Sequence, residues 1–229
     1  MYRHIFFDLD HTLWDFEQNS RNTMLVLYER LRLDVRGIKD FDEFFRVYSD
    51  HNEKLWVRFR KGFIRRDELR WKRMWHTLLD FKIGDTRIAN ELSVAYLELL
   101  PTQRGLMPFA KEALEHCSKK YKLHIITNGF ETTQRQKLHY CGLANYFDQL
   151  ITSEKSGSIK PKKDIFDFAM NQVQATTAEC IMIGDALDID IAGAINAGWD
   201  QVYFNPAQLP HEAKPTHEIQ SLEQLIGIL

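Results

Sequence analysis

MYRHIFFDLDHTLWDF, residues 1–16, runs an apolar segment directly into Asp8-Leu9-Asp10, with Thr12 next. Residues 4–7 show no inward–outward alternation. This marks a strand covered on both faces and hence a parallel sheet. Two carboxylates two residues apart at the end of such a strand are costly, because burial and mutual repulsion both oppose their ionisation. The rest of the chain has to supply a cation, and with it a place for an anionic substrate.

The companion strands lie in the second half. Apolar runs at residues 123–126, 149–152, 180–183 and 202–204 are bounded by turn signals. They alternate with helical patterns at 108–120, 131–141, 163–173 and 188–197, the signature of a parallel sheet with helices on both faces. The first strand stands apart from these. Residues 15–100 read as helices over 20–31, 40–59, 66–81 and 86–99, with apolar and aromatic side chains at three- and four-residue spacing, as in Trp71, Trp75 and Leu78. Pro101 and Gly105 mark the return to the α/β pattern. The expected fold is α/β, a Rossmann-like parallel-sheet core of residues 1–14 and 101–229. A helical cap of residues 15–100 is inserted after the first strand, at the carboxyl edge where such sheets bind ligands.

Each core strand leaves polar residues at its end. The first leaves Asp8, Asp10 and Thr12; the second leaves Thr127, Asn128 and Gly129 in IITNGF. Lys160 follows the third, and Asp185, Asp188 and Asp190 follow the fourth in IMIGDALDID. Taken singly, each has a plain structural explanation: acids cap helices, Thr-Asn-Gly is a turn, and a lysine beside Lys162 and Lys163 is a surface charge. Their common placement at strand ends argues for one site. Asp8, Asp10 and Asp185 make a hard-oxygen set suited to Mg2+. With a lysine and backbone N–H groups to hold phosphoryl oxygens, this is the inventory of phosphoryl transfer. One aspartate attacks, and a second acid protonates the leaving oxygen and then activates water.

The four motifs DLDHT (8–12), ITN (126–128), Lys160 before proline, and GDALDID (184–190) resemble those of the haloacid dehalogenase superfamily of phosphohydrolases. The insertion after the first motif resembles that superfamily's helical C1 cap. The resemblance implies Asp8 as nucleophile and Asp10 as general acid/base, with Thr127 and Lys160 on the phosphate alongside Asn128 and Gly129. It implies Mg2+ on Asp8, Asp185 and the Asp10 carbonyl, with Asp190 supporting the metal site. Ala186 and His11 stand where serine and glycine or glutamate are common, positions without a chemical role. FFDLDHTLWDF, ITNGF, SIKPKKDIFDFA and INAGW look like bacterial 5′-nucleotidases that act on pyrimidine and noncanonical nucleoside monophosphates.

Residues 58–73 carry eight basic side chains (Arg58, Arg60, Lys61, Arg65, Arg66, Arg70, Lys72 and Arg73), interleaved with Phe59, Phe63 and Trp71 and flanked by Trp56 and Trp75. These suit a base stacked on an aromatic ring with an arginine on a polar group. They also suit a solvated basic face over a packing stripe. Phe16, Trp56 and Arg73 are the candidate leaving-group contacts. A sugar-phosphate phosphatase or phosphomutase on the same scaffold is the alternative. A dehalogenase has no use for Asp10, and a receiver-like phosphorylation module lacks the helical insertion.

Composition narrows the partners. The 229 residues are 44% hydrophobic with net charge −2, giving no general field for nucleic acid or an anionic membrane. Cys117, Cys141 and Cys180 show no paired or metal-binding spacing and are expected as reduced thiols. No stretch reaches the roughly 20 apolar residues of a membrane span. A cleaved leader would remove Asp8. The expectation is a soluble, cytoplasmic enzyme taking a small phosphate monoester.

Overall fold

Strands that are apolar on both faces have to be sandwiched between helices, and such strands form the centre of one wholly parallel, six-stranded sheet in the computed structural model, which describes residues 1–229. Its strands are β1 (His4–Phe7), β2 (Lys122–Thr127), β3 (Phe147–Thr152), β4 (Cys180–Gly184), β5 (Asp200–Phe204) and β6 (His217–Ile219), in the order β3-β2-β1-β4-β5-β6. The first strand in sequence is thus central in space. Phe7 pairs with Ile125 of β2 on one side and Ile183 of β4 on the other, so the residues after these three strands leave the sheet at one edge. The strand order reverses between β1 and β4, the kind of switch point that opens a crevice at the carboxyl ends.

The chain divides into two compact units, Met1–Phe16 with Arg104–Leu229, and Glu17–Gln103. Four helices make up the second: α1 (Phe16–Arg30, whose first residue counts with the sheet), α2 (Phe41–Arg60), α3 (Arg66–Asp80) and α4 (Thr86–Leu99). Asp40 and Asp85 cap α2 and α4 by accepting backbone N–H bonds in the first turn, which satisfies donors that have no partner within the helix. The inward ridge is aromatic, with Tyr28, Phe44, Tyr48 and Tyr96 almost wholly buried. Ser20 and Tyr96 share a hydroxyl–hydroxyl bond of 2.8 Å inside it.

In the sheet unit the connecting helices are α5 (Ala110–Cys117), α6 (Glu131–Tyr140), α7 (Ser153–Ser156), α8 (Lys163–Gln172), α9 (Ala192–Ala197) and α10 (Leu225–Ile228). Phe6, Ile126, Ile151 and Met182 form a core with Ile165 and Phe166 of α8, Ala194 of α9 and Trp199. Trp199 packs at 4.7 Å from Phe6 and edge-on at 5.3 Å from Phe166. The three cysteines are free and buried; burial pushes the Cys117 thiol up to about 11 and Cys180 up to about 12. No helix is long and apolar enough to cross a membrane.

Two local features depart from the sequence expectation. β6 was not foreseen. It has three residues of which only Ile219 is fully inside, and it joins β5 through main-chain pairing that leaves no apolar run. The helix expected from Asp188 begins instead with a π-helical turn, Leu187–Ile191, before α9. Single π turns are frequent at functional sites. Here the wider turn exposes Asp188 and turns Asp190 inward.

Candidate active site

β1 delivers Asp8 into the sheet edge, where its N–H donates to the Ile183 carbonyl at 2.9 Å. Its carboxylate accepts from the Lys160 ammonium at 2.5 Å, and the same ammonium donates to Asp190 at 2.6 Å and to the Ile126 carbonyl at 2.8 Å. All three Lys160 protons are therefore committed. Asp190 spends its other oxygen on the Ala186 N–H at 3.1 Å, which closes the π turn. A Cβ on Gly184 would run into the Asp190 carboxylate, so the residue ending β4 has to be glycine for this approach.

Asp185 lies beside this group and accepts from the Thr12 hydroxyl at 2.7 Å. Thr12 returns to the edge because the chain turns sharply at His11, whose φ of 67 is left-handed. That backbone region favours glycine, and here His11 adopts it. Ligand atoms of Asp8, Asp185 and Asp190 all fall within 4.8 Å of one another. Burial pushes the Asp8 carboxyl well above the usual carboxylate range; Lys160 opposes the rise, and Asp190, Asp185 and Asp10 add to it. Burial, then Asp190, raises Asp185 to about 6, against the pull of His11, Thr12 and Lys160. Burial alone would lower the Lys160 ammonium, but Asp190 and Asp8 outweigh it and drive its pKa up. Asp8 and Asp190 share the one ammonium, and with Asp185 beside them two negative charges are left unmatched when all three are ionised. A small, hard divalent cation fits that donor set and that deficit.

Asp10 sits one step further out and has its own cation. The Lys137 ammonium from α6 donates to one oxygen at 2.5 Å, and Gln134 Nε2 donates to the other at 2.9 Å. Gln134 also donates to the Thr127 hydroxyl at 2.8 Å, which accepts the Gly129 N–H at 3.0 Å as well. Thr127 keeps its own proton to donate. A Cβ on Gly129 would overlap the Gln134 side chain.

Thus Asp8, Asp10, Thr127, Gly129, Lys160, Asp185 and Asp190 gather at one edge. Asn128 is there too, with its side-chain amide turned to the main chain of Lys160. Its amide accepts from the Lys160 N–H at 2.8 Å and donates to the Lys160 carbonyl at 3.0 Å, clamping the main chain that carries the lysine. Thr12, expected at the edge as a polar residue after the first strand, is there; Gln134 and Lys137 are site residues that the sequence reading does not single out. Gln134 and Lys137 stand three apart on one helical face, and the one sign that this face is buried is Leu138, the single aliphatic side chain of ETTQRQKLHY, four residues after Gln134.

The candidate leaving-group contacts separate. Phe16 belongs to the sheet unit, 5.0 Å from the His11 ring and 5.5 Å from the Lys137 ammonium. Trp56 is half-buried on α2, edge-on to Phe59 at 5.6 Å. Arg73 corrects the expectation: it is only 5% exposed, donates to Asn52 at 3.0 Å and lies 4.8 Å over the Tyr96 ring. Its guanidinium holds α2, α3 and α4 together, so it is removed from the contact set.

Residues 2–198 match the family described as haloacid dehalogenase-like hydrolase. The chain belongs to that family. Members similar along their whole length include the pyrimidine 5′-nucleotidase YjjG of Escherichia coli, 32% identical, the match spanning 98% of this chain and 96% of that protein. The pyrimidine 5′-nucleotidase PynA of Streptococcus pneumoniae is 30% identical over 100% of this chain and 95% of its own length. The crystal structure of the HAD-hydrolase YfnB of Bacillus subtilis, described as bound to magnesium, superposes with a TM-score of 0.89 at 29% identity, covering 99% of this chain and 98% of that one. Membership with these phosphatase relatives makes this chain an enzyme, a phosphoric monoester hydrolase of the haloacid dehalogenase-like family.

Proposed function

We propose that the protein is a Mg2+-dependent phosphomonoesterase that hydrolyses 5′-nucleotides carrying pyrimidine or noncanonical bases to nucleoside and inorganic phosphate. The observation that carries this reading is the division of labour between two aspartates. Asp8 is buried against Lys160, and Asp10, two residues on, is held separately by Lys137 and Gln134. A nucleophile and a general acid/base need such separate environments.

In the first half-reaction an Asp8 oxygen attacks phosphorus. The bond from phosphorus to the ester oxygen breaks, and Asp10 gives its proton to the departing alkoxide. In the second, Asp10 takes a proton from water as the water oxygen attacks the aspartyl-phosphate. This releases phosphate and restores Asp8. Thr127 donates its hydroxyl proton to a phosphoryl oxygen, and Lys160 offsets the charge of Asp8 and of the phosphate. Asp8, Asp185 and the Asp10 carbonyl would hold Mg2+, with Asp190 in support. Once bound, the ion supplies charge neutralisation for the phosphoryl group. Pyrimidine 5′-nucleotidases among the relatives support the choice of leaving group.

The test is a panel of nucleoside monophosphates, sugar phosphates and p-nitrophenyl phosphate, assayed for phosphate release. Expected are turnover with Mg2+, silence in excess EDTA, and recovery on adding Mg2+ back. Asp8→Asn, nearly isosteric, should abolish turnover while leaving the circular dichroism spectrum unchanged. Asp8→Asn activity within about tenfold of wild type would overturn the mechanism. Sugar phosphates outrunning every nucleotide would overturn the substrate.

A further inference from the structure

We infer that Lys137 and Gln134 are positioning residues for Asp10, acting through it on proton transfer to the leaving group; this rests on the phosphomonoesterase reading above. Both come from α6, which starts directly after β2 at the site edge, and their spacing of three brings both side chains to one face. From that face they take both oxygens of the same carboxylate, Lys137 at 2.5 Å and Gln134 at 2.9 Å. A carboxylate gripped on both oxygens by one rigid element has its rotamer and its direction fixed. Proton transfer to an ester oxygen requires that, because the donor has to lie within hydrogen-bond reach in the reacting geometry.

The fold itself has little use for this arrangement. Lys137 is 2% exposed, with its ammonium 4.2 Å from the centroid of the Trp14 ring. Burying a lysine costs desolvation that an ion pair at best offsets, and an apolar side chain of equal length would pack there as well or better. Gln134 is wholly buried, and its carbonyl oxygen has no partner, a further cost. What both residues secure is the position of Asp10. Gln134 also ties Asp10 to the Thr127 hydroxyl, so the acid/base and the phosphoryl-holding hydroxyl keep a fixed relation.

The experiment is a double-mutant cycle with the full chain. Lys137→Met and Gln134→Leu are made alone and combined with Asp10→Asn. Each is assayed on p-nitrophenyl phosphate and on the alkyl phosphate that wild type turns over fastest, with circular dichroism and thermal melting to verify folding. Lys137→Met should lower kcat on the alkyl phosphate about tenfold or more, with KM within about twofold, and should affect the aryl phosphate far less because its leaving group needs little protonation. Gln134→Leu should show the same split, more weakly. In the Asp10→Asn background Lys137→Met should change kcat by less than about twofold, because the group it positions is gone. Equal losses on both substrates, or losses that multiply with those of Asp10→Asn, would show a merely structural lysine and overturn the inference. If wild type turns over no phosphate ester, the phosphomonoesterase reading falls; with wild type active and the losses multiplicative, only the positioning role falls.

Discussion

Burial raises the Asp185 carboxyl from 3.8 to about 6, and neighbouring Asp190 adds to the rise. A carboxyl that binds its proton more tightly in the folded chain than in the unfolded one stabilises the fold below its unfolded pKa. That contribution is lost as pH climbs through the folded pKa. The window is therefore pH 3.8 to about 6. On this account alone the metal-free fold is weaker above the window by on the order of 3 kcal/mol. Asp185→Asn keeps an acceptor for the Thr12 hydroxyl and removes the charge. In EDTA its melting temperature should exceed that of wild type at about pH 7.5, and the gap should close by about pH 4.5. Mg2+ should raise the wild-type melting temperature more at the higher pH, where no proton competes for the carboxylate. A gap independent of pH would remove Asp185 from this role.

At the level of the elements, the turn after β4 decides whether Lys160 stays in place. Gly184 leaves room for Asp190, the π turn bonds Asp190 to Ala186, and Asp190 then holds the lysine that holds Asp8. Gly184→Ala should push Asp190 aside and break at least one charge-assisted bond. Such bonds contribute about 1.5–3 kcal/mol, so kcat should fall about ten- to hundredfold. Steady-state kinetics checks this, and an unchanged kcat would mean that the turn tolerates a Cβ. The ends of β1, β2 and β4 were legible in the sequence because a continuous apolar run followed by a polar residue is a strong local signal. The π turn was not, since DALDID fits an α-helical start equally well. Gln134 and Lys137 escaped for a related reason. Which face of a polar helix turns inward depends on how α6 leaves β2, and that angle is set by packing rather than by local sequence. The place of Asn128 in ITN points to phosphate, and the sequence gives no sign that both ends of its side-chain amide go to the Lys160 backbone.

Across the whole molecule, every group proposed to touch the reacting phosphorus lies within Met1–Phe16 and Arg104–Leu229, while the aromatic and basic residues of 56–75 lie within Glu17–Gln103. Of the two candidate leaving-group contacts that remain, Phe16 belongs to the first of these parts and Trp56 to the second. Composition drew attention to 56–75, but it could not separate packing from recognition. Arg73 proves to be internal, stacked on Tyr96, whereas Trp56 remains half-buried. An accessible indole can stack on a nucleobase, a contact of about 1–3 kcal/mol that tolerates modified bases because each has a π-face. Trp56→Ala should therefore lower kcat/KM for nucleoside 5′-monophosphates by about tenfold, equivalent to roughly 1.4 kcal/mol. It should leave p-nitrophenyl phosphate within about twofold, since the reacting groups are untouched. Arg73→Met serves as the contrast. It deletes a buried cation that bonds Asn52, so it should lower the melting temperature while changing the ratio of the two substrates little. Equal losses on nucleotide and aryl phosphate in Trp56→Ala would rule out stacking on that indole.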